Sequence, residues 1–261
     1  MGKLLSVNAD DFGFTRDINA GIVHCHQAGI LTSTTLMANG AAFDDAVRLS
    51  LEVPTLDVGC HLVLVQGRSL ATGAPLPRNP RQLIAALIAG KIRPYRELRA
   101  QVQKVMDAGI RPSHFDTHKH THVLPPVFSA VVRLAREFNV PFVRLPFDAG
   151  WWPVRPFDAW YRRRLKRAGL RAVDHFLGFR LTGSLTEQTL ATALERLPGG
   201  STEFMCHPGH LGQDLRNAPT RLKESRLREL EALTSPAILA LLKKNSITLT
   251  DYRKLASGEA D

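Results

Sequence analysis

The sequence predicts an α/β fold on a mostly parallel sheet, and three observations lead there. Short apolar runs alternate with segments of helical periodicity from one end of the chain to the other, as successive βα units require. The 261 residues match one (β/α) barrel, and with no internal repeat or low-complexity linker a single domain over 1–261 is expected. Aspartates and histidines cluster where apolar runs give way to turn residues, the strand ends at which parallel α/β folds place their sites.

Leu4 to Ala9 reads as the first strand, Asp10-Asp11-Phe12-Gly13 as a turn, and Arg16 to Ala28 as a helix stopped by Gly29. Leu31 to Met37, rich in Thr, is the second strand, ended by Asn39-Gly40, and Asp57 to Leu64 is the third. Gly, Pro, Arg and Asn dominate Gln66 to Pro80, which predicts a long loop of the kind that covers sites. Helical patterns follow over Leu83 to Ala89 and Tyr95 to Ala108. A fourth strand, Ser113 to His118, then runs into His120, His122 and Pro125-Pro126. Pro126 to Phe138 is a helix and Phe142 to Leu145 a strand. The last third holds a helix over Thr186 to Leu197 and a strand Glu203 to Cys206 that opens into His207-Pro208-Gly209. Helices over Arg221 to Leu233 and Pro236 to Lys243 and a strand Ile247 to Leu249 complete it.

With 44% hydrophobic and 22% charged residues the chain has ordinary globular composition, which excludes disordered, collagen-like and disulfide-scaffold classes. No run approaches about 18 apolar residues, and Asp10-Asp11 arrives before a signal-peptide core could form, so neither a membrane span nor export is expected. Three cysteines without CxxC spacing argue against disulfides and thiolate zinc, and fit the cytoplasm. Cys60 and Cys206 precede His61 and His207, so on strands they point away from any site those histidines face. Lys and Arg number 34 against 24 acidic residues, a net +10. Half of that excess falls between Trp151 and His175, a stretch that also holds all three tryptophans. Basic and aromatic residues interleaved in this way suit a lipid–water interface, so an anionic membrane surface is an expected partner through 151–175. An amphipathic barrel helix with a solvated basic face is the alternative, and no nucleic-acid motif accompanies the charge.

Four features carry the chemistry. Adjacent carboxylates Asp10 and Asp11 point to opposite faces in a regular strand, so both serve one site only where the strand breaks, and Gly13 is the expected break. His61 lies in an otherwise apolar strand, where a hydrogen-bonded core role competes with ligation. Asp116, His118, His120 and His122 recur at period two, so an extended chain would put all four on one face, where metal, mutual hydrogen bonds or water must satisfy them. Pro208-Gly209 after the Glu203 strand presents His207 at a tight turn, where it looks like the general acid or base of a metal hydrolase.

In these segments the chain resembles the YdjC-like carbohydrate deacetylases, which include chitooligosaccharide deacetylases. The matching pieces are Val7–Gly13, Gly29–Thr35, Gly59–Leu62, Asp116–His122 and Glu203–Gly209, in family order. Within the family the resemblance is strongest to the HpnK branch associated with hopanoid biosynthesis. The resemblance implies a distorted TIM-like (β/α) barrel and one divalent metal ion, Mg²⁺ or Zn²⁺ with Mn²⁺ or Co²⁺ as alternatives. It implies Asp11, His61 and His118 as ligands, Asp10 as base and His207 as acid. Asp116, His120, His122 and Glu203 would bind substrate or support the ligands, with His120 and His122 as second choices for the third ligand. The implied substrate is an N-acetylated sugar on a lipid or an oligosaccharide, with the enzyme cytoplasmic or peripheral on the inner face of the membrane. A homo-oligomer is left open. Two competing classes are a two-metal phosphoester hydrolase and a non-catalytic binding protein with a structural Asp/His set.

Overall fold

A computed structural model describes residues 2–148 and 155–258; Trp151 and Trp152 lie outside the described residues. In chain order, β1 (Lys3–Phe12), α1 (Arg16–Ala28), β2 (Ser33–Leu36), α2 (Phe43–Glu52) and β3 (Asp57–Leu62) come first. The predicted loop after β3 leads to α3 (Pro80–Ile88), α4 (Pro94–Asp107), β4 (His114–Thr117), a 3₁₀ turn His118–Val123, α5 (Pro125–Glu137) and β5 (Phe142–Val143). Then follow α6 (Arg155–Arg167), β6 (His175–Leu177), α7 (Glu187–Glu195), β7 (Gly200–Cys206), α8 (Gln213–Asn217), α9 (Glu224–Leu233), α10 (Pro236–Lys244), β8 (Ile247–Leu249) and α11 (Tyr252–Ser257). The pattern reading passes over α2, the short β6, the short α8 and α11.

Seven parallel strands lie in the order β5-β4-β3-β2-β1-β7-β6, the curled sheet of the expected distorted barrel. β8 sits on the lower half of β1, opposite Lys3 to Leu5, and β2 takes over the same edge from Asn8 onward. The edge strands β5 and β6 do not pair with each other; one bridge, Phe142 to Arg171, links β5 to the approach to β6.

Period-two alternation sorts β1 into two sets. Leu5, Val7 and Ala9 join the main hydrophobic core with residues of the surrounding helices. Ser6, Asn8 and Asp10 instead meet other strands inside the curl, where Ser6 bonds Ser33 and Asn8 Oδ1 lies 3.0 Å from His114 Nε2. His114 occupies space that Gly59 leaves open, since a Cβ there would lie 2.6 Å from its ring. Below it Tyr252 stacks on His114 with centroids 3.8 Å apart and, with Phe142, Val173 and Leu255, fills the N-terminal end of the barrel. All three cysteines are buried, as expected of small hydrophobes. In α6, Tyr161 and Leu165 enter the core while Phe157, Trp160 and most of the basic residues face outward, the arrangement of an amphipathic helix. Among the described residues no helix is long and apolar enough to cross a membrane.

Candidate active site

The break that lets Asp10 and Asp11 share one space falls two residues earlier than Gly13. Asp11 itself is left-handed, with φ 71°, and the β1–β2 register shifts between Ala9 and Phe12. Aspartate is among the residues that tolerate this conformation. Both carboxylates therefore line one cavity of about 600 Å³ at the carboxyl ends of the strands, together with His61, His118, His120 and His207.

Asp11 Oδ1 lies 3.1 Å from His118 Nδ1 and 3.5 Å from His61 Nε2, and the two ring nitrogens are 3.3 Å apart. Each imidazole is held by its other nitrogen: His61 Nδ1 is 2.8 Å from Asp116 Oδ1, and His118 Nε2 is 3.2 Å from Gln66 Oε1. With N–H donating to those oxygens, both rings turn lone pairs toward the same space. Asp11 Oδ2 is taken by Arg226, whereas Oδ1 is buried with no hydrogen-bond partner among the described residues. An orphaned carboxylate oxygen and two imidazole lone pairs, all within 4.8 Å of one another, fit a small divalent cation. Burial opposes a charge on His61, but Asp116 and Asp10 outweigh it and lift the imidazole to about 9, so a proton and a cation compete for it. Burial alone would raise Asp11, but Arg226 and the two imidazoles hold its carboxyl well below the usual range.

Beside this cluster Arg144 grips Asp10 with both terminal nitrogens, 2.9 and 2.7 Å from its two oxygens. Burial raises Asp10, but Arg144 and His61 prevail and keep it ionised. The same guanidinium reaches Asp116 Oδ2 at 2.7 Å and Glu203 Oε1 at 2.6 Å. His207 Nε2 stands 4.0 Å from Asp10 Oδ2, its Nδ1 has no partner among the described residues, and its backbone N–H donates to Glu229 Oε2. Burial lowers the His207 imidazole to about 4 and pushes Glu229 up to about 7.

The shared face expected for Asp116 through His122 does not form. The strand ends at Thr117, and Lys119 and His120 are both left-handed, with φ 53° and 50°, which winds the chain into a 3₁₀ turn. His122 is swung into the core, its Nδ1 2.6 Å from Thr117 Oγ1 and its Nε2 3.1 Å from the Arg144 carbonyl, so neither nitrogen is free. His120 lines the cavity against Met205 and Phe179 rather than joining the Asp11 cluster. Arg144, Arg226, Glu229 and Gln66 are absent from the sequence-based set. Arg144 alone had a visible signal, an arginine inside the apolar run Phe142 to Leu145.

Fold and site together define an α/β-barrel protein whose reactive carboxylates and imidazoles gather at the carboxyl ends of parallel strands. The chain belongs to the family of YdjC-like proteins, whose profile matches residues 4–244. It is 34% identical over 262 residues to a carbohydrate deacetylase of Geobacillus stearothermophilus, covering 97% of this chain and 98% of that one. To a chitooligosaccharide deacetylase of Klebsiella pneumoniae it is 32% identical, covering 97% and 99%. The crystal structure of a protein from Enterococcus faecalis V583 superposes with a TM-score of 0.80 at 25% identity, covering 98% of this chain and 99% of that one. A family 4 carbohydrate esterase from Streptomyces lividans shares the fold, at a TM-score of 0.51 and 13% identity over 96% and 92% of the two chains.

Proposed function

We propose that this protein is a metal-dependent carbohydrate deacetylase that hydrolyses the acetamide of an N-acetylglucosamine group. The observation behind it is the convergence of Asp11, His61 and His118 on one point beside Asp10 and His207, in a chain whose full-length relatives are carbohydrate deacetylases. A divalent ion held there supplies Lewis acidity, polarising the amide carbonyl and acidifying a water. Asp10 takes the proton of the attacking water, with Arg144 fixing the plane of its carboxylate. His207 enters neutral, because burial lowers it to about 4. The proton collected on Asp10 Oδ2 passes to His207 Nε2, 4.0 Å away, and from there to the departing nitrogen. One water and one amide thus leave as acetate and the ammonium form of the amine, the second proton of the water passing from the new carboxyl group to the amine, with both side chains restored. Asp116 orients His61, Glu203 anchors Arg144, and His120 forms part of the substrate wall.

The substrate we propose is an N-acetylglucosaminyl hopanoid, N-acetylglucosaminyl bacteriohopanetetrol, converted to its glucosaminyl form. It is supported by the resemblance to the hopanoid-associated branch and by α6, where exposed Phe157 and Trp160 lie among exposed Arg163, Arg164, Lys166 and Arg167. On this reading the enzyme works from the cytoplasm, resting peripherally on an anionic membrane. Sedimentation with liposomes of roughly 20–30% anionic lipid should be measurable and salt-sensitive, at about 1 kcal/mol per basic residue near the surface. No sedimentation at low salt removes the membrane contact. The second reading, a free chitooligosaccharide, is favoured by the Klebsiella pneumoniae relative.

Acetate release from an N-acetylglucosaminyl lipid and from chitobiose, with Mg²⁺, Zn²⁺, Mn²⁺ or Co²⁺, tests both readings against an Asp10→Ala control. Release from the lipid alone, lost in the variant, is expected. Release from chitobiose alone keeps the deacetylase and discards the lipid, and release from neither discards amide hydrolysis.

A further inference from the structure

A second group of potential ligands lies against the first: oxygens of Asp10 and Asp116 and a nitrogen of His61 come within 4.8 Å of one another. The two groups share His61, and neighbouring carboxylates and imidazoles of this kind are the ligand types of two-metal hydrolases. Here the space between the carboxylates holds the guanidinium of Arg144. It meets Asp10 Oδ2 and Asp116 Oδ2 through Nη1, Asp10 Oδ1 and Glu203 Oε1 through Nη2, and Glu203 Oε1 again through Nε. Glu203 Oε2, fully buried, is left by the guanidinium to the neighbouring Tyr252 hydroxyl, so the three carboxylates offer more acceptor capacity than the guanidinium uses.

Charge counting agrees. Asp10, Asp11, Asp116 and Glu203 are all buried, and with His61 and His118 neutral, as metal ligands must be, the cations in contact with them are Arg144 and Arg226. Four carboxylates against two guanidiniums leave a deficit of two positive charges, which one divalent ion fills and two would overfill. Buried charge of either sign left uncompensated is costly.

We infer that Arg144 stands in the place of a second metal ion, making the centre mononuclear, and that its removal opens a second divalent-cation site on Asp10, Asp116 and Glu203. The inference rests on the proposed ion at Asp11, His61 and His118. Its functional consequence is that Asp10 is kept from becoming a metal ligand and stays available to accept a proton. Unlike an ion, the guanidinium cannot be exchanged or lost.

The test is Mn²⁺ binding by equilibrium dialysis with elemental analysis, and electron paramagnetic resonance, on the wild-type protein and on Arg144→Lys, Arg144→Ala and Arg144→Gln. Wild type and Arg144→Lys should bind one Mn²⁺ per chain with the spectrum of an isolated ion. Arg144→Ala and Arg144→Gln should bind twice as much, with the exchange-coupled spectrum of neighbouring ions. Circular dichroism with and without Mn²⁺ reports folding, and recovery of fold in the neutral variants only when two ions are bound also supports the inference. Two coupled ions in wild type overturn it, as do neutral variants that fold and bind a single ion. Neutral variants that stay unfolded in saturating Mn²⁺ overturn it too, because an ion must be able to replace the guanidinium. A wild type that binds no Mn²⁺ instead removes the underlying metal reading, a different and recognisable failure.

Discussion

Replacing Asp116 by Asn changes a single atom type but strikes at the tautomer of a proposed ligand. Asp116 Oδ1 accepts from His61 Nδ1 at 2.8 Å, while Oδ2 accepts from Arg144 Nη1 at 2.7 Å and from Thr35 Oγ1 at 3.0 Å. An asparagine can place its oxygen toward only one side. Facing His61 with oxygen, it turns its NH₂ on the Arg144 donor, two N–H groups meeting at hydrogen-bond distance. Facing His61 with NH₂, it donates to Nδ1 and drives the ring proton to Nε2, the atom whose lone pair points at Asp11 Oδ1. Either orientation weakens the ion site, and loss of such a supporting partner typically lowers metal affinity about 10–100-fold, or about 1.4–2.8 kcal/mol. Competition of Zn²⁺ or Mn²⁺ between the protein and a fluorescent chelator measures the change, with circular dichroism confirming that the variant is folded. A folded Asp116→Asn with affinity within about two-fold of wild type would refute the tautomer reasoning.

Asp10→Asn should keep its bound ion while kcat for acetate release falls about 10²–10⁴-fold; an active variant removes Asp10 as the base. Chelation should lower the melting temperature, and restoring the ion at 100 times its Kd should return about 2.7 kcal/mol; an unchanged melting curve contradicts the charge deficit. Burial lifts Asp57 from the ordinary 3.8 to about 6, so its contribution to stability is fully present below pH 3.8 and lost as pH rises through 6. The loss amounts to roughly 3 kcal/mol at pH 8 and roughly half of that at pH 5. Asp57→Asn should therefore gain on wild type by roughly 1–2 kcal/mol between pH 5 and pH 8 in urea unfolding, and parallel pH profiles would refute it. Gly59→Ala places a Cβ 2.6 Å from the His114 ring and carbonyl and should destabilise the fold by about 1–3 kcal/mol, read in the same assay; a neutral outcome shows that the His114–Tyr252 stack can shift.

By itself the sequence determined the βα alternation and the crowding of Asp10, Asp11, His61, Asp116 and His207 at strand ends. These follow from local periodicity and turn chemistry, which neighbouring residues encode. It even required a break beside Asp11, though it put the break at Gly13 rather than at Asp11 itself. Only the tertiary structure decided how those groups are compensated. Arg144 pairs with Asp10 across 134 positions and Arg226 with Asp11 across 215, distances over which no periodic pattern carries information. It also decided among the four residues at period two, because left-handed Lys119 and His120 bring His118 to the cluster and send His122 into the core. Lysine and histidine do not announce such a turn. The side chains that could form the site are a local property of the strands, whereas their partners depend on the order in which the sheet curls those strands together.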